Sequence, residues 1–410
     1  MKTSTIENIF NRKFISSKTA DTENSGRWIR QFVGTLTASI CLSLIPLEAL
    51  ASFSFTKIAD NQSDFSSVSS SPAINDIGTV AFEATSSGGS QGIYTNNGGA
   101  ITTIIDTNAL PVSVLSNFPS PFFTLSQNVD INNNGTVAFL VNFNMGSSGT
   151  SCRLITTQGG SFTTRGTDSR SAIGNGGSIV EFNLNNNEEL AYQTEDLSLG
   201  NFIFTDSLYI SKPNQPSIKV ATAFYQVISP FASGSFSSIG GGVINNQSQI
   251  TFYGSGQSAD GQVTGIYRGN VDSFNFLIDA KTPNFGTNDN GDIVLSDGKT
   301  INLFNNTSNT LTTIADGSSV FTSFSNAAIN NNQHIAFEAS LANGVSGIFT
   351  GADPVGNKVI ATGDPLFNST VTNLTFSRKS LNNLGQIVFY AELADGTKGI
   401  FVATESPDRK

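Results

Sequence analysis

One histidine and two cysteines stand among 410 residues, so the side chains able to do chemistry are few. His334 alone would have to serve any Ser-His-Asp relay or histidine-based metal site. It falls where other copies of a recurring phrase have Thr79, Thr136 and Gln386, which reads as a surface position on a strand. Cys152 reads as a small apolar group on a strand beside Leu154. Asp130-Ile131-Asn132-Asn133-Asn134-Gly135 begins like a calcium loop, but Val141 holds the twelfth place, where a bidentate Glu is needed. Asp60, Asp106, Asp279, Asp316 and Asp364 each follow a β-like run, as Asx turns do; the alternative is an acidic ring for calcium or a sugar hydroxyl. Glu83, Glu338 and Glu392 suggest paired carboxylates for glycoside hydrolysis. They recur with the phrase, however, and a catalytic pair needs two unlike residues. A structural role is expected for them, and no catalytic, cofactor-binding or metal-ligating residue is assigned.

The elements that carry these residues are written in the phrase itself, Asn-x-x-Gly-x-(Ile/Val)-(Ala/Val)-Phe. It runs from Asn75 to Phe82 and from Asn132 to Phe139, with looser copies from Asn185, Asn245, Asn288, Asn330 and Asn382. Asn and Gly suit the positive φ of a tight hairpin. The run after it, Thr79-Val80-Ala81-Phe82-Glu83-Ala84 in the first copy, has strand composition. A third run, Gly92-Ile93-Tyr94-Thr95, and a fourth, Ile101 to Ile105, complete one antiparallel unit. The sixth copy repeats this order with His334 to Ala339, Gly347 to Thr350 and Lys358 to Ala361. No stretch of helical period follows residue 51.

Residues 1–51 read as a secretory signal peptide: Arg27 and Arg30, an apolar run from Phe32 to Leu47, then Ala49-Leu50-Ala51, with cleavage after Ala51. Pro46 and Glu48 interrupt the run, which is too short for a stable membrane span. The segment holds six of the 21 basic and four of the 31 acidic side chains, so removing it leaves a net charge near −12. Such a surface repels nucleic acid and anionic lipid. Cys152 then has no disulfide partner, and stability must come from burial, with 32 Phe residues to supply it.

Units of four strands at a period of 40 to 60 residues predict an all-β chain, a β-propeller of seven four-stranded blades forming a single domain over residues 52–410. Phe55-Thr56-Lys57-Ile58-Ala59-Asp60 resembles a fourth strand, and the last copy stops after its third strand at Phe401-Val402-Ala403. The N-terminal strand is therefore expected to pair with the last blade and close the ring. The phrase resembles the bacterial NxxGxxAF tandem-repeat family, the "choice-of-anchor" repeat proteins, across residues 53 to 403. That resemblance implies an exported protein and brings no established catalytic residue. Members often carry a C-terminal anchoring segment, whereas Thr404 to Lys410 are not apolar. A free secreted or periplasmic protein is expected, rather than one anchored to the cell surface.

Turns between first and second strands are short in every copy. Loops between second and third strands, and connectors from one unit to the next, are longer, and alternation of strand direction puts both on one face. Phe118, Phe122, Phe123, Tyr225, Phe231 and Phe367 gather there as the candidate binding face. The expected function is a non-enzymatic, monomeric binding or scaffold module, with a glycan or an envelope or extracellular protein as partner. A carbohydrate-active hydrolase or lyase using channel carboxylates is the alternative, and a purely structural envelope component a further one.

Overall fold

Each copy of the phrase is a hairpin turn built round its asparagine. The structure is a computed structural model that describes residues 53–110, 123–144, 150–170, 175–198, 203–225, 236–258, 261–270, 273–317 and 320–406. In all seven turns the Asn side-chain Oδ1 accepts the amide N–H four residues on, as from Thr79, Thr136, Glu189, Gln249, Asp292, His334 and Gln386. The fourth turn residue lies in the left-handed region every time, with φ of 77° to 81° at Gly78, Gly135, Gly291 and Gly385. Glu188, Ser248 and Gln333 take the same conformation at φ of 60° to 62°, at a steric cost that glycine avoids. His334 sits just before the strand Ile335–Leu341, not on it, and is exposed.

Strands flank each turn. In the second repeat Phe123–Ile131, Val137–Asn144, Thr150–Gln158 and Ser161–Arg170 pair antiparallel in sequence order. The sixth does the same with Phe321–Ile329, Ile335–Leu341, Ser346–Phe349 and Lys358–Ala361. In the first repeat the leading strand is split into Phe65–Val68 and Ala73–Ile74, both paired to Val80–Ser86. The third and fourth repeats share one eight-stranded sheet, joined by the single parallel pair Ala223 and Phe236. In the seventh, Lys398–Glu405 pairs on its far side with Phe53–Asp60, placing Phe55 opposite Ala403 and Asp60 opposite Gly399.

Strand alternation sends every second side chain to one face of its sheet, so each sheet packs apolar residues on both neighbours. Each apolar cluster is shared by two successive repeats. Leu140, Leu154 and Cys152 meet Phe182 and Tyr192 between the second and third. Ile58, Val388 and Ile400 meet Phe65, Phe82 and Val80 between the seventh and first. The aromatics that end the phrase, Phe82, Phe139, Phe252, Phe337 and Phe389, are fully buried in these clusters. The layering is that of an all-β propeller, with the leading strand of each repeat innermost.

Candidate functional site

The phrase asparagines do more than close their own turns. Side-chain Nδ2 of Asn75 donates to the carbonyl of Asn132 (3.0 Å), Asn132 to Asn185, and Asn185 to Asn245. Asn288 donates to Asn330, Asn330 to Asn382, and Asn382 back to Asn75. Asn245 Nδ2 donates instead to the Gln249 side chain of its own turn, so this series is open there, and the next residue in each turn supplies a complete circuit. Backbone N–H groups of Asp76, Asn133, Asn186, Asn246, Asp289, Asn331 and Asn383 each donate to the side-chain oxygen of the following one. Asn suits the first place in the turn because it carries donor and acceptor on one short side chain, whereas the second place needs only an acceptor and is Asp at 76 and 289. One mouth of the channel is thus laced by like residues.

The middle of the channel is different. Four residues before each phrase asparagine stand Ser71, Asn128, Glu181, Gly241, Asn284, Asn326 and Arg378, no two charged ones alike. All seven line one cavity of 420 Å³. Local irregularity in the leading strands puts them there: pairing registers shift between Leu125 and Val129, Ile179 and Glu181, Gly240 and Val243, and Phe324 and Ala327. Such bulges re-aim side chains. The leading strands run from this cavity toward the asparagine mouth, so its other side faces the connectors between repeats.

Two cations from one repeat reach across the axis. Arg378 forms a hydrogen-bonded ion pair with Glu181 of the third repeat. Lys379 Nζ donates to the carbonyl of Val129 (3.2 Å), stands 3.4 Å from Asp130 Oδ2, and lies 4.5 Å from the centre of the Phe182 ring. Burial pushes the Lys379 ammonium below its ordinary pKa, Asp130 opposes that shift, and the neighbouring Arg378 adds to it. Asp130 is held by the N–H groups of Ile131 and Leu184 (both 2.9 Å) and by Asn183 Nδ2 (3.2 Å). The supposed first calcium ligand is therefore a buried anchor for a lysine. Around these charges Asn326 Nδ2 donates to the Phe376 carbonyl (2.9 Å) and Gln193 Nε2 to that of Ile239 (3.3 Å).

Those residues singled out from sequence that the structure describes lie elsewhere. Phe123 is half-buried and packs in the cluster between the first and second repeats, its ring 6.4 Å from Phe143. Phe367 is 55% exposed, with its ring 5.7 Å from Phe401. Neither lines the axial cavity. Tyr225 ends the strand Ile218–Tyr225, while Phe118, Phe122, Phe231 and Ala51 lie outside the described residues. Cys152 is buried in the sheet as an apolar group, and its Sγ accepts the Ile179 N–H at 3.4 Å. Asp60 and Asp106 accept N–H groups two residues on, as Asx turns do, and Asp364 accepts the Ala361 N–H. Glu83, Glu338 and Glu392 do not line the cavity either.

Sequence reasoning passed over two features. Gly88-Gly89-Ser90-Gln91-Gly92 spells the Gly-x-Ser-x-Gly of a nucleophile elbow. It lies at the turn between the paired strands Val80–Ser86 and Gln91–Asn96, with Ser90 Oγ tied to Asp106 Oδ2 at 2.9 Å. The elbow requires a strand-to-helix turn, so this match is structural. The second is the cavity ring itself; aligning the copies on their asparagines would have shown one position that varies in chemical type. Among the described residues no three of His, Cys, Asp and Glu gather as a metal site, and no helix is long and apolar enough to cross a membrane.

Among solved structures the chain is similar to an oligogalacturonate lyase in complex with manganese, at 10% identity over 87% of this chain and 99% of that one, TM-score 0.51. An oligogalacturonate lyase from Vibrio parahaemolyticus aligns at 9% identity over 88% of this chain and 99% of that one, TM-score 0.50. At such identities the likeness speaks for the β-propeller fold. No curated protein matches the chain. A family model, described as a family of unknown function, DUF7453, matches residues 54–366 and again 315–406, an overlap that tandem repeats allow. The chain therefore belongs to the DUF7453 family.

Proposed function

We propose that this chain is an exported, non-enzymatic binding module that holds a small polar ligand, such as part of a glycan, in its axial cavity. One observation carries the reading. The position four residues before each phrase asparagine is Asn in three repeats and Ser, Gly, Glu and Arg in the other four, yet all seven residues border one space of 420 Å³. A purely architectural position repeats, whereas a site for one asymmetric ligand needs unlike groups at fixed places. The volume falls within the range of small-molecule sites, roughly 300–1,000 Å³. Phe367, 55% exposed, is left in this reading to a larger partner outside the cavity. Titration calorimetry against mono- and oligosaccharides tests it. Binding is expected in the native chain and lost in Asn128→Trp, which fills the cavity, with unfolding unchanged. Binding that survives Asn128→Trp sends the ligand elsewhere.

A second reading, a lyase acting on an acidic sugar, is favoured by the pairing of Lys379 with Arg378. A buried amine of lowered pKa is suited to take a proton, and an adjacent guanidinium to neutralise a carboxylate. Incubation with uronate polysaccharides that yields no unsaturated product removes it.

A further inference from the structure

We infer that the cavity selects a ligand bearing a carboxylate, which takes the place of Glu181 on the Arg378 guanidinium. This rests on the cavity being the binding site. The two members of the ion pair are unequal: the Arg378 side chain is 15% exposed and that of Glu181 is 38%. The guanidinium belongs to the wall, and the carboxylate faces the open space and can swing into water. Its seat is built, because Gly241 contributes no side chain where an added Cβ would stand 2.9 Å from the Phe285 ring and 3.5 Å from Arg378 Nη1. Arg378 and Glu181 lie 197 residues apart in sequence and come from the seventh and third repeats, so no local turn chemistry requires their pairing.

Lys379 does not compete for the incoming anion. Asp130 neutralises it, and Val129 and Phe182 fix its direction. When Glu181 leaves, one uncompensated positive charge remains on a planar fork of N–H donors, a geometry that matches a carboxylate in bidentate fashion. Glu181 thus acts as a resident stand-in that keeps the guanidinium paired until a ligand arrives. Asn326 and Gln193 have their amide nitrogens on backbone carbonyls, which leaves side-chain oxygens as acceptors for ligand hydroxyls. Chemistry of this kind describes a sugar acid.

Calorimetric titration with galacturonate, its methyl ester and galactose tests the inference. Galacturonate should bind more tightly than the ester and the neutral sugar. Glu181→Gln should tighten galacturonate by about fivefold relative to its methyl ester, since the competing carboxylate is gone. Arg378→Met should abolish the preference for the acid. Equal binding of acid and ester, or no gain in Glu181→Gln, overturns the inference while the cavity reading stands. Failure of all three sugars to bind the native chain overturns both. Should Arg378→Met not fold, the Glu181→Gln comparison decides alone.

Discussion

Glu83 is the residue whose chemistry is most out of place. It lies on the strand Val80–Ser86, is 5% exposed, and its Oε1 has no hydrogen-bond partner. Burial pushes its carboxyl up to about 7 from an ordinary 4.5. In the unfolded chain the proton leaves near the ordinary value, so between the two the folded state holds the extra proton. The stability this group contributes is complete below about pH 4.5 and is lost as pH rises through about 7. Glu83→Gln should therefore raise stability by about 2 kcal/mol at pH 8 and change little at pH 4. Urea unfolding at the two pH values measures this; an equal gain at both would rule out titration as the cause. Residue chemistry was the least legible level of the sequence. Arg378 and Glu181 are ordinary in type, and only the fold brings them together. Glu83 looked like a repeated strand residue, and its lack of a partner depends on the sheets packed round it.

The hairpin turn is the element on which the fold depends, and it was legible at once. Asn at its first place and Gly at its fourth are dictated by hydrogen bonding and by positive φ, both local requirements that sequence records faithfully. What the turn does to its neighbours was not legible, because an Nδ2 that donates to the next repeat looks identical to one facing water. Asn132 shows the stakes: buried, it donates to the Asn185 carbonyl (3.1 Å) and accepts from the N–H groups of Asn134 (3.0 Å) and Thr136 (2.9 Å). Asn132→Ala leaves the N–H groups of Thr136 and Asn134 without partners and the Asn185 carbonyl with the Glu188 N–H alone, and should cost about 3 kcal/mol. Chemical denaturation checks the figure, and a loss below about 1 kcal/mol would show that water replaces these bonds. Loops between second and third strands were expected to be long, but the strands extend almost to each other, Ile250–Ser258 being followed by Gly261–Gly269 and Ile335–Leu341 by Ser346–Phe349. Residues 111–122 and 226–235, which held Phe118, Phe122 and Phe231 of the expected binding face, lie outside the described residues.

For the whole molecule, the contact between Phe53–Asp60 and Lys398–Glu405 is the one made by segments farthest apart in sequence. The signal for it was the likeness of Thr56 to Asp60 and Thr313 to Asp316, two fourth strands with the same ending. Deleting residues 53–60 strips Ile58 and Ala59 from an apolar cluster and bares the edge of Lys398–Glu405. The expected result is a loss of at least about 3 kcal/mol and self-association through the bared edge. Calorimetry and sizing chromatography test it, and a monodisperse variant with the native unfolding midpoint would refute it.

The lacing at the asparagine mouth has a consequence for how the molecule comes apart. A stack of repeats with two ends unravels from whichever end is weaker, one unit at a time. Here the backbone N–H donors of the second turn residue pass from turn to turn and arrive back at Asp76, so every turn has a neighbour on each side. Amide exchange with deuterium should then show no graded protection falling toward a terminal repeat, and the seven turn amides should open together or not at all.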